Sequence, residues 1–459
     1  MTTNENGALP TRPMESIKLD NLLINFTTEF NRVLDTRTLR SSSASFWRPA
    51  PAPDVLPGYF PLGDLAVASN TNINGLRVAA VVRESGLPSA DSSKGNALSR
   101  PNDFERVWTD EGSGAKTDTS IWRPIPPAGY VAVGLVCSND LIKPSLNAVR
   151  CVRADLVIAS SVGDLIWNDE GSRAKKNFSA WSIEPPTAAA GEIYFAPGTF
   201  FGVQSHIKPA IPVAYSLRMQ IPLEVRPAPE APKLSGYESP SMEEPTKVTQ
   251  VARLPFFAVQ DTMHFIDQLR TSPIYRLERT DQYVLVGHGN NTSSKAIPIK
   301  WTAPRAQNTT KTQVFKRLTS IDVENAWSIK LHGNAQALNF SASLDKHFTH
   351  AETSSWGWRD TQPQKVIAMA GKNKAVAVYQ LQSTYQLLRE DNTPVAIDIE
   401  YSDDESLLLT EFPSEENGEN KVSPPITTDS TTNQETPLEP VEVNPQPAED
   451  LPTPAETVS

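Results

Sequence analysis

Two pairs of carboxylates lie in glycine-containing loops that repeat along the chain. Asp110-Glu111 opens a DEGS segment, and Asp169-Glu170 opens the same four letters 59 residues later. Such carboxylates could bind calcium or accept hydrogen bonds from sugar hydroxyls, and Tyr59 and Tyr130 could stack on a sugar face. Asp and Gly also close ordinary turns, and this structural interpretation is favoured. The six side chains remain the candidate ligand-binding set.

Catalytic or metal chemistry has weaker support. Of the six histidines, His347 and His350 stand three apart, but their segment is predicted to be a strand, where such positions point to opposite faces. An ordinary polar loop is favoured over a zinc site, which needs three or four ligands. Gly287-His288-Gly289 predicts a hairpin turn, and the chain lacks a P-loop and a G-x-S-x-G sequence. We expect no enzyme activity, no metal and no cofactor.

The DEGS loops belong to a longer repeat. VWTDEGSGAKTDTSIWRPIPP, from Val107 to Pro127, returns without a gap as IWNDEGSRAKKNFSAWSIEPP, from Ile166 to Pro186. A fainter upstream copy contains the sequence SFWRP and, further on, PGYFPLG. The three copies are centred on Trp47, Trp122 and Trp181. The third has lost the Arg-Pro and Gly-Tyr pairs, and Glu192-Ile193-Tyr194 is its nearest match to the latter.

Each copy predicts a turn, a strand, a Pro-Pro bend and a second strand. One hairpin is marginally stable in water, whereas three equivalent sheets around an axis could bury their tryptophans together. The sequence therefore predicts an all-β fold that begins with a three-unit β-prism-like domain. Its predicted structural core is Trp47, Trp108, Trp122, Trp167 and Trp181 with Gly58 and Gly129.

The unit W-R-P-x-P-P-x-G-Y-x-x-x-G, with W-x-D-E-G-S upstream, is similar to the vacuolar protein sorting-associated protein 62 family over roughly residues 15–225. The residues from Arg150 to Val157 also resemble the family's strand into its third unit. The resemblance implies the prism-like fold and no defined reaction. It is carried by Trp47, Arg48, Pro49, Gly58, Tyr59, Gly63, Trp108, Asp110, Gly112, Ser113, Trp122, Arg123, Pro124, Gly129, Tyr130, Trp167, Asp169, Gly171, Ser172 and Trp181.

Composition divides the chain further. Residues 1–16 are predicted to be disordered, 17–225 to form the prism-like domain, 226–245 a Pro-rich linker, 246–400 a second β-rich domain and 411–459 a disordered acidic tail. The net charge is −11, and the residues from Tyr401 onward contribute −13, with 14 acids and one lysine. The rest of the chain is therefore at +2, which argues against nucleic acid as the main partner.

Cys137 and Cys151 are too few for a disulfide scaffold. They could pair across neighbouring strands, although two buried thiols are favoured. The polar N-terminus has no signal-peptide pattern, and no apolar run is long enough for a transmembrane helix. We expect synthesis in the cytoplasm, and signal-independent secretion is compatible with the sequence.

Three functional hypotheses follow. The first is a non-enzymatic recognition protein whose prism binds a glycan or a membrane lipid headgroup, with peripheral membrane contact. The second is a pore-forming or insecticidal-type toxin with a β-prism receptor-binding domain, in which Val314 to Phe348 alternates loosely between apolar and polar residues. The third is an intracellular trafficking or scaffold protein that binds a protein partner through its acidic tail.

Overall fold

A computed structural model describes residues 14–37, 39, 41–114, 118–241, 246–303, 327–329, 338–349, 364–396, 398–414 and 427–428. Strands predominate, and the predicted all-β class is confirmed. The first part contains β1 (Ile17–Leu19), β2 (Leu22–Thr27), β3 (Phe30–Asp35), β4 (Ser45–Pro49), β5 (Phe60–Pro61), β6 (Leu65–Val67), β7 (Ala79–Glu84), β8 (Leu98–Ser99), β9 (Asp103–Thr109), β10 (Ser120–Ile125), β11 (Tyr130–Val131), β12 (Val136–Ser138), β13 (Cys151–Arg153), β14 (Val157–Asn168), β15 (Ser179–Glu184), β16 (Glu192–Phe195), β17 (Phe201–Val203), β18 (Ala214–Gln220) and β19 (Leu223–Val225).

The second part contains β20 (Lys247–Pro255), helix α1 (Phe265–Thr271), β21 (Ile274–Asn291), β22 (Ile297–Ala303), β23 (Trp327–Ile329), β24 (Phe340–Ala342), helix α2 (Lys346–Thr349), β25 (Gln364–Ala370), β26 (Lys374–Leu388), β27 (Ile399–Phe412) and β28 (Thr427–Thr428). Two 3₁₀ turns, Ala154–Leu156 and Phe256–Ala258, complete the described elements.

The repeated sequence forms three similar antiparallel sheets. Their strand orders are β3-β4-β6, β12-β10-β9 and, within a larger sheet, β17-β15-β14. We name them units 1, 2 and 3. In each, the strand that carries the repeat tryptophan is central. The register with the preceding strand shifts by one residue in each unit, so that Arg32 pairs with Trp47, Arg106 with Trp122 and Leu165 with Trp181. The shared irregularity shows that the three units have the same backbone design.

The axis between the units is filled by a different set of aromatics from the predicted one. Trp108 and Trp167 lie there with ring centroids 5.7 Å apart, together with Phe46 and Phe178. Trp47 and Trp122 are buried in separate clusters. Trp181 is buried but also lies outside the axial cluster. The prediction of one shared tryptophan core is therefore wrong for these three. Successive side chains on a strand point to opposite faces, so the residue before each central tryptophan faces the axis instead.

Below this axial core, a second group of strands extends each unit. Their orders are β1-β2-β7-β5 in the first, β11-β13-β8 in the second, and β14-β18-β16 in the third. The buried side chains of this level, including Phe26 and Phe195, belong to a cluster that continues into the second part through Leu254, Phe256 and Phe257. The regions predicted as two domains therefore share one hydrophobic core.

The predicted linker begins where a strand ends. Strand β19 pairs with β20, so the last residues predicted for the prism lie in the sheet of the second part. That sheet has the order β19-β20-β21-β26-β27, and β21 is 18 residues long. A smaller sheet, β22-β25-β28, packs on it. A Cβ on Gly287 would lie 2.0 Å from Trp301, so a glycine lets the two sheets approach closely.

The structure bears on three predictions about the second part of the chain. The strand predicted around His347 is wrong, because Lys346–Thr349 is a helix. The predicted tail overlaps structure, since β27 includes Glu411 and Phe412, and Thr427–Thr428 pairs with β25. The segment Val314 to Phe348 lies partly outside the described residues. Within it, β24 pairs with β23 and with β16 of unit 3.

A buried ion pair fastens the end of β26 to the segment before α1. Arg389 donates to both oxygens of Asp261, at 2.7 and 2.6 Å, and the Tyr275 hydroxyl donates at 2.8 Å. The Asp261 side chain is inaccessible to solvent. Burial alone would raise its pKa, but Arg389 and Tyr275 lower the pKa to about 2. The bound carboxylate therefore stabilises the fold above the ordinary pKa of an aspartate.

This pair predicts a pH effect that Asp261→Asn removes. Because the folded-state pKa of Asp261 is depressed, its contribution of about 2 kcal/mol is complete above about pH 4 and is lost as the pH falls through about pH 2. Urea unfolding at several pH values measures the difference between wild type and variant. We expect that difference to shrink on acidification. A difference that stays constant between about pH 4 and pH 2 would contradict the argument.

Candidate functional site at the loop end of the prism

Six loops emerge from one end of the three units. The hairpin loops 36–44, 110–119 and 169–178 join the first two strands of each unit. The third strand of each unit ends beside the start of the central strand, because Ser45 pairs with Val67, Ser120 with Ser138 and Ser179 with Val203. The exit loops 68–78, 139–150 and 204–213 therefore begin at the same end. We call this end the loop end.

A serine and a tryptophan fix the start of each exit loop. In unit 1 the indole Nε1 of Trp47 donates to Ser45 Oγ at 2.8 Å, and Ser45 Oγ donates to the carbonyl of Ser69. Units 2 and 3 repeat the arrangement with Ser120, Trp122 and the Asp140 carbonyl, and with Ser179, Trp181 and the Ser205 carbonyl. The repeat S-x-W carried this signal in the sequence, although its role there was not identified.

The two candidate aspartates point into the protein. Asp169 is 4 % exposed, and its carboxylate accepts from Trp108 Nε1 at 2.9 Å and from the Phe178 N–H at 2.8 Å. His206 Nε2 lies 2.6 Å from the same carboxylate. Asp110 is 2 % exposed and accepts from the Thr119 N–H at 2.6 Å. Both close their hairpin loops, which agrees with the structural interpretation.

Unit 1 has Thr36 at the equivalent place, which sequence reasoning missed. Its Oγ1 accepts from the Ala44 N–H at 2.7 Å, as the aspartates accept from the last residue of their own loops. The Thr36 N–H donates to the Ala44 carbonyl, and the Asp169 N–H donates likewise to Phe178. A hydroxyl oxygen and a carboxylate oxygen can both accept this hydrogen bond from the backbone N–H. The three units therefore have the same loop geometry although the residue type differs.

The environments of the aspartates differ, and this predicts different costs of substitution. Burial raises the pKa of Asp110, although Thr119 opposes the shift. Asp110→Asn keeps an acceptor oxygen and should change the free energy of unfolding by less than about 1 kcal/mol. Asp169→Asn places its amide N–H₂ group against another donor, either the Trp108 indole N–H or the Phe178 N–H. It should lower the free energy of unfolding by about 1–3 kcal/mol. Urea unfolding of both variants tests this, and equal costs would contradict it.

The neighbouring glutamates are at the surface. Glu111 and Lys175 form an ion pair between the hairpin loops of units 2 and 3. Lys175 also donates its backbone N–H to the Glu111 carbonyl at 3.0 Å. The ammonium of Lys175 holds the pKa of Glu111 below its usual range. Glu170 is exposed. Of the four predicted acidic residues, these two are available to a ligand.

The structure does not join the two tyrosines to the acidic loops. Tyr59 is buried against Leu56 and Val81, and Arg83 lies 5.3 Å from its ring centroid. Tyr130 donates its hydroxyl to the Asn96 carbonyl at 2.8 Å. Both follow a glycine with positive φ, and Gly191 keeps this conformation in unit 3, where the sequence analysis found the pair lost. The glycine defines the repeat better than the tyrosine does.

The tryptophans near the hairpin loops are also inaccessible. Trp108 and Trp167 are each 1 % exposed. Besides its bond to Asp169, Trp108 donates to the Lys176 carbonyl at 3.0 Å, and Trp167 donates to the Ser42 carbonyl at 2.9 Å. Each indole therefore links its own unit to the hairpin loop of another unit. Stacking on a sugar would require that these bonds and the axial packing be broken.

Other candidate chemistry has no cluster in the described part of the chain. His347 is exposed on α2, and His350 lies outside the described residues. Within those residues, no group of three or more His, Cys, Asp or Glu side chains could hold a metal ion. Cys137 and Cys151 are free and buried, and burial raises the pKa of the Cys151 thiol to about 12. No described helix is long and apolar enough to cross a bilayer.

The three units share a serine–tryptophan pair and equivalent hairpin loops. The family model of vacuolar protein sorting-associated protein 62 matches residues 11–226. This confirms the predicted resemblance, and we refer to these residues as the Vps62-like region. The chain as a whole is thus a β-rich protein with a Vps62-like N-terminal region. A comparison with curated proteins gives no match.

Solved structures that are similar to the chain include GNIP1Aa and Cry35Ab1. GNIP1Aa from Chromobacterium piscinae is 26% identical, with a TM-score of 0.34, over 41% of this chain and 34% of GNIP1Aa. The chain therefore spans about a third of the length of that protein. Cry35Ab1 is 10% identical, with a TM-score of 0.35, over 86% of this chain and 91% of Cry35Ab1.

Proposed function

We propose that the protein is a non-enzymatic recognition protein whose Vps62-like region binds a glycan or a lipid headgroup through the loop end. The observation that supports this most directly is the convergence of six loops at one end of a threefold scaffold. Rigid scaffolds with clustered loops commonly carry recognition. The internal hydrogen bonds of Asp110 and Asp169 keep these loops in place without occupying their outer surfaces.

The ligand would meet the exposed side chains of the loops. Glu170, Arg173 and Lys176 are exposed on the hairpin loop of unit 3, and Lys208 is exposed on its exit loop. A carboxylate beside several cations can bind hydroxyls, phosphates or both. Asp110 and Asp169 would then act as positioning residues, and Glu111 would act through its ion pair with Lys175.

The test is a glycan array combined with vesicle co-sedimentation, using the full chain. A double substitution, Glu170→Gln with Arg173→Gln, should weaken binding to the ligand found. Glu230→Gln with Lys233→Gln changes the same two charges at exposed positions between β19 and β20, and should leave binding unchanged. Equal effects of both pairs, or no binding to any glycan or vesicle, would remove the proposal.

Pore formation is the second candidate function. Strands β22 and β25 are antiparallel partners, and Ala303 pairs with Gln364 where the chain leaves and rejoins them. The intervening residues, 304–363, include the whole alternating segment, Val314 to Phe348, identified in the sequence. Release of dye from vesicles under saturating binding would support this candidate. Binding without release over every lipid composition tried would eliminate it.

A further inference from the structure

One position on the outer faces of the three units differs in chemical character. Arg32 lies over the ring of Trp47, 4.6 Å from its centroid, and Arg106 lies 6.0 Å from the ring of Trp122. Leu165 has the same register opposite Trp181. It is a large aliphatic side chain and is 46% exposed. Unit 3 therefore has an apolar residue where the other two units have a cation.

The exit loop of unit 3 adds further exposed apolar surface. Ile207 is 80% exposed and Ile211 is 68% exposed, the first and third highest values among the exposed large hydrophobic residues of the described chain. The loop follows β17, in which Phe201 pairs with Trp181 on the side opposite Leu165. Paired residues of neighbouring strands share a face of the sheet, so Leu165 and Phe201 flank Trp181 on one face. The Trp181 indole donates to Ser179 Oγ, which in turn donates to the Ser205 carbonyl in the exit loop.

Exposed cations lie on both loops beside this surface. Lys208 is exposed between the two isoleucines, and Arg173 and Lys176 are exposed on the adjoining hairpin loop. The two loops touch through His206 and Asp169. Glu170 is exposed on these loops and Asp164 is exposed beside Leu165, while the exposed Lys175 is paired with Glu111. Arg173, Lys176 and Lys208 therefore outnumber the two exposed acids by one. We call Leu165, Ile207, Lys208 and Ile211 the unit 3 patch.

We propose that the unit 3 patch docks on an anionic lipid bilayer by inserting its aliphatic side chains among the headgroups. This deepens the proposed function, on which it rests, by naming the surface. Ile207 and Ile211 stand at loop positions separated by Lys, Pro and Ala, and Leu165 projects from the neighbouring β14. A fluid interface accepts such projecting side chains, and flanking cations add attraction to anionic lipids.

Unit 2 provides an internal comparison. Its exit loop also contains Ile-Lys-Pro, from Ile142 to Pro144, and Ile142 is 71% exposed. However, Lys143 is paired with Asp103 at 2.6 Å, and Arg106 covers the neighbouring tryptophan. Unit 2 therefore presents less free positive charge, whereas its exit loop also exposes Leu141 at 38% and Leu146 at 42%. Its loop should contribute less to docking than that of unit 3.

The experiment measures co-sedimentation of the full chain with phosphatidylcholine vesicles, with and without phosphatidylserine. The chain's own repeats supply variants that should fold: Leu165→Arg takes the residue of units 1 and 2, and Ile207→Thr takes Thr71 of unit 1. Together they should weaken binding by about tenfold or more. Lys208→Glu should weaken binding to the anionic vesicles only.

Two controls define the outcome. Ile142→Thr should have a smaller effect than Ile207→Thr, and Leu87→Thr, at a position 60% exposed between β7 and β8, should have none. Unchanged binding of the Leu165→Arg, Ile207→Thr variant would overturn the inference and leave the recognition function standing. The same holds if the wild type binds a glycan and no vesicle. If it binds neither, the inference and the proposed function both fail.

Discussion

The Phe257→Ala variant is expected to unfold with a free energy about 3–5 kcal/mol below that of the wild type. Phe257 is 2% exposed and lies where the Vps62-like region meets the second part. Its ring centroid is 5.0 Å from Phe195 and 5.8 Å from Phe26 in the first part. It is also 5.6 Å from Phe340 in the second. Removing this ring leaves a cavity between two sets of strands that cannot both collapse into it.

The same variant tests whether the two parts unfold together. Pulsed hydrogen exchange along a urea gradient follows peptides of β10 and β26 separately. Because one core joins the two parts, we expect both peptides to lose protection at one midpoint, and Phe257→Ala to move both midpoints equally. Leu87→Ala, at an exposed position, is the control and should move neither. Two separate midpoints, with only one displaced, would contradict the shared core.

Much of the prism could be predicted because its information is local and repeated. The constant offset between the DEGS loops identified two units, and the SFWRP sequence identified a third. The sequence did not show towards which face of its sheet each tryptophan points. In each unit the strand before the central one has an extra residue at the register shift, which reverses the alternation of that strand. Trp108 and Trp167 therefore face the axis, although Arg106 and Leu165, two residues earlier, pair with the central tryptophans on the other face. A strand pattern with such a shift assigns faces wrongly unless the shift is known.

The sequence located the acidic candidates in loops and did not show how their side chains are oriented. Asp110 and Asp169 do lie in loops at the end of the prism, but their carboxylates are buried by hydrogen bonds to their own loops. Thr36 performs the same role without resembling an aspartate in sequence. The unit 3 patch depends on comparing equivalent positions in three dimensions, and Leu165 becomes informative only beside Arg32 and Arg106.

The shared core could not be predicted from composition. The proline-rich stretch after β19 has the character of a linker, and linkers usually separate independent domains. Here β19 pairs with β20 directly, and β24 joins the sheet of unit 3 from more than a hundred residues away. These are long-range pairings between strands whose own sequences show no preference for one another. Periodicity describes a strand and says nothing about its distant neighbour.

Gly134→Ala is expected to lower the free energy of unfolding by about 3 kcal/mol or more, because units 2 and 3 are in close contact at this glycine. A Cβ there would lie 2.5 Å from the Thr199 Cβ. Gly63 belongs to the same contact, since its Cβ would lie 2.8 Å from the Gly134 Cα. Neither glycine has positive φ, so the expected cost comes from the contact between units and not from backbone strain.

A second substitution separates this contact from a general loss of stability. Thr199→Gly removes the atoms that would meet the new methyl group, so Gly134→Ala with Thr199→Gly should recover part of the loss. The recovery will be incomplete, because Thr199 Oγ1 also donates to the Val133 carbonyl at 2.9 Å. Gly63→Ala should be rescued less, since its nearest obstacle is the Gly134 backbone at 2.8 Å, with the Thr199 Cγ2 at 3.0 Å. Gly236→Ala, with open space around its Cβ, is the matched control, and urea unfolding of the five variants measures the pattern. Equal rescue of both glycine substitutions by Thr199→Gly, or rescue of neither, would show that the three units do not meet as described.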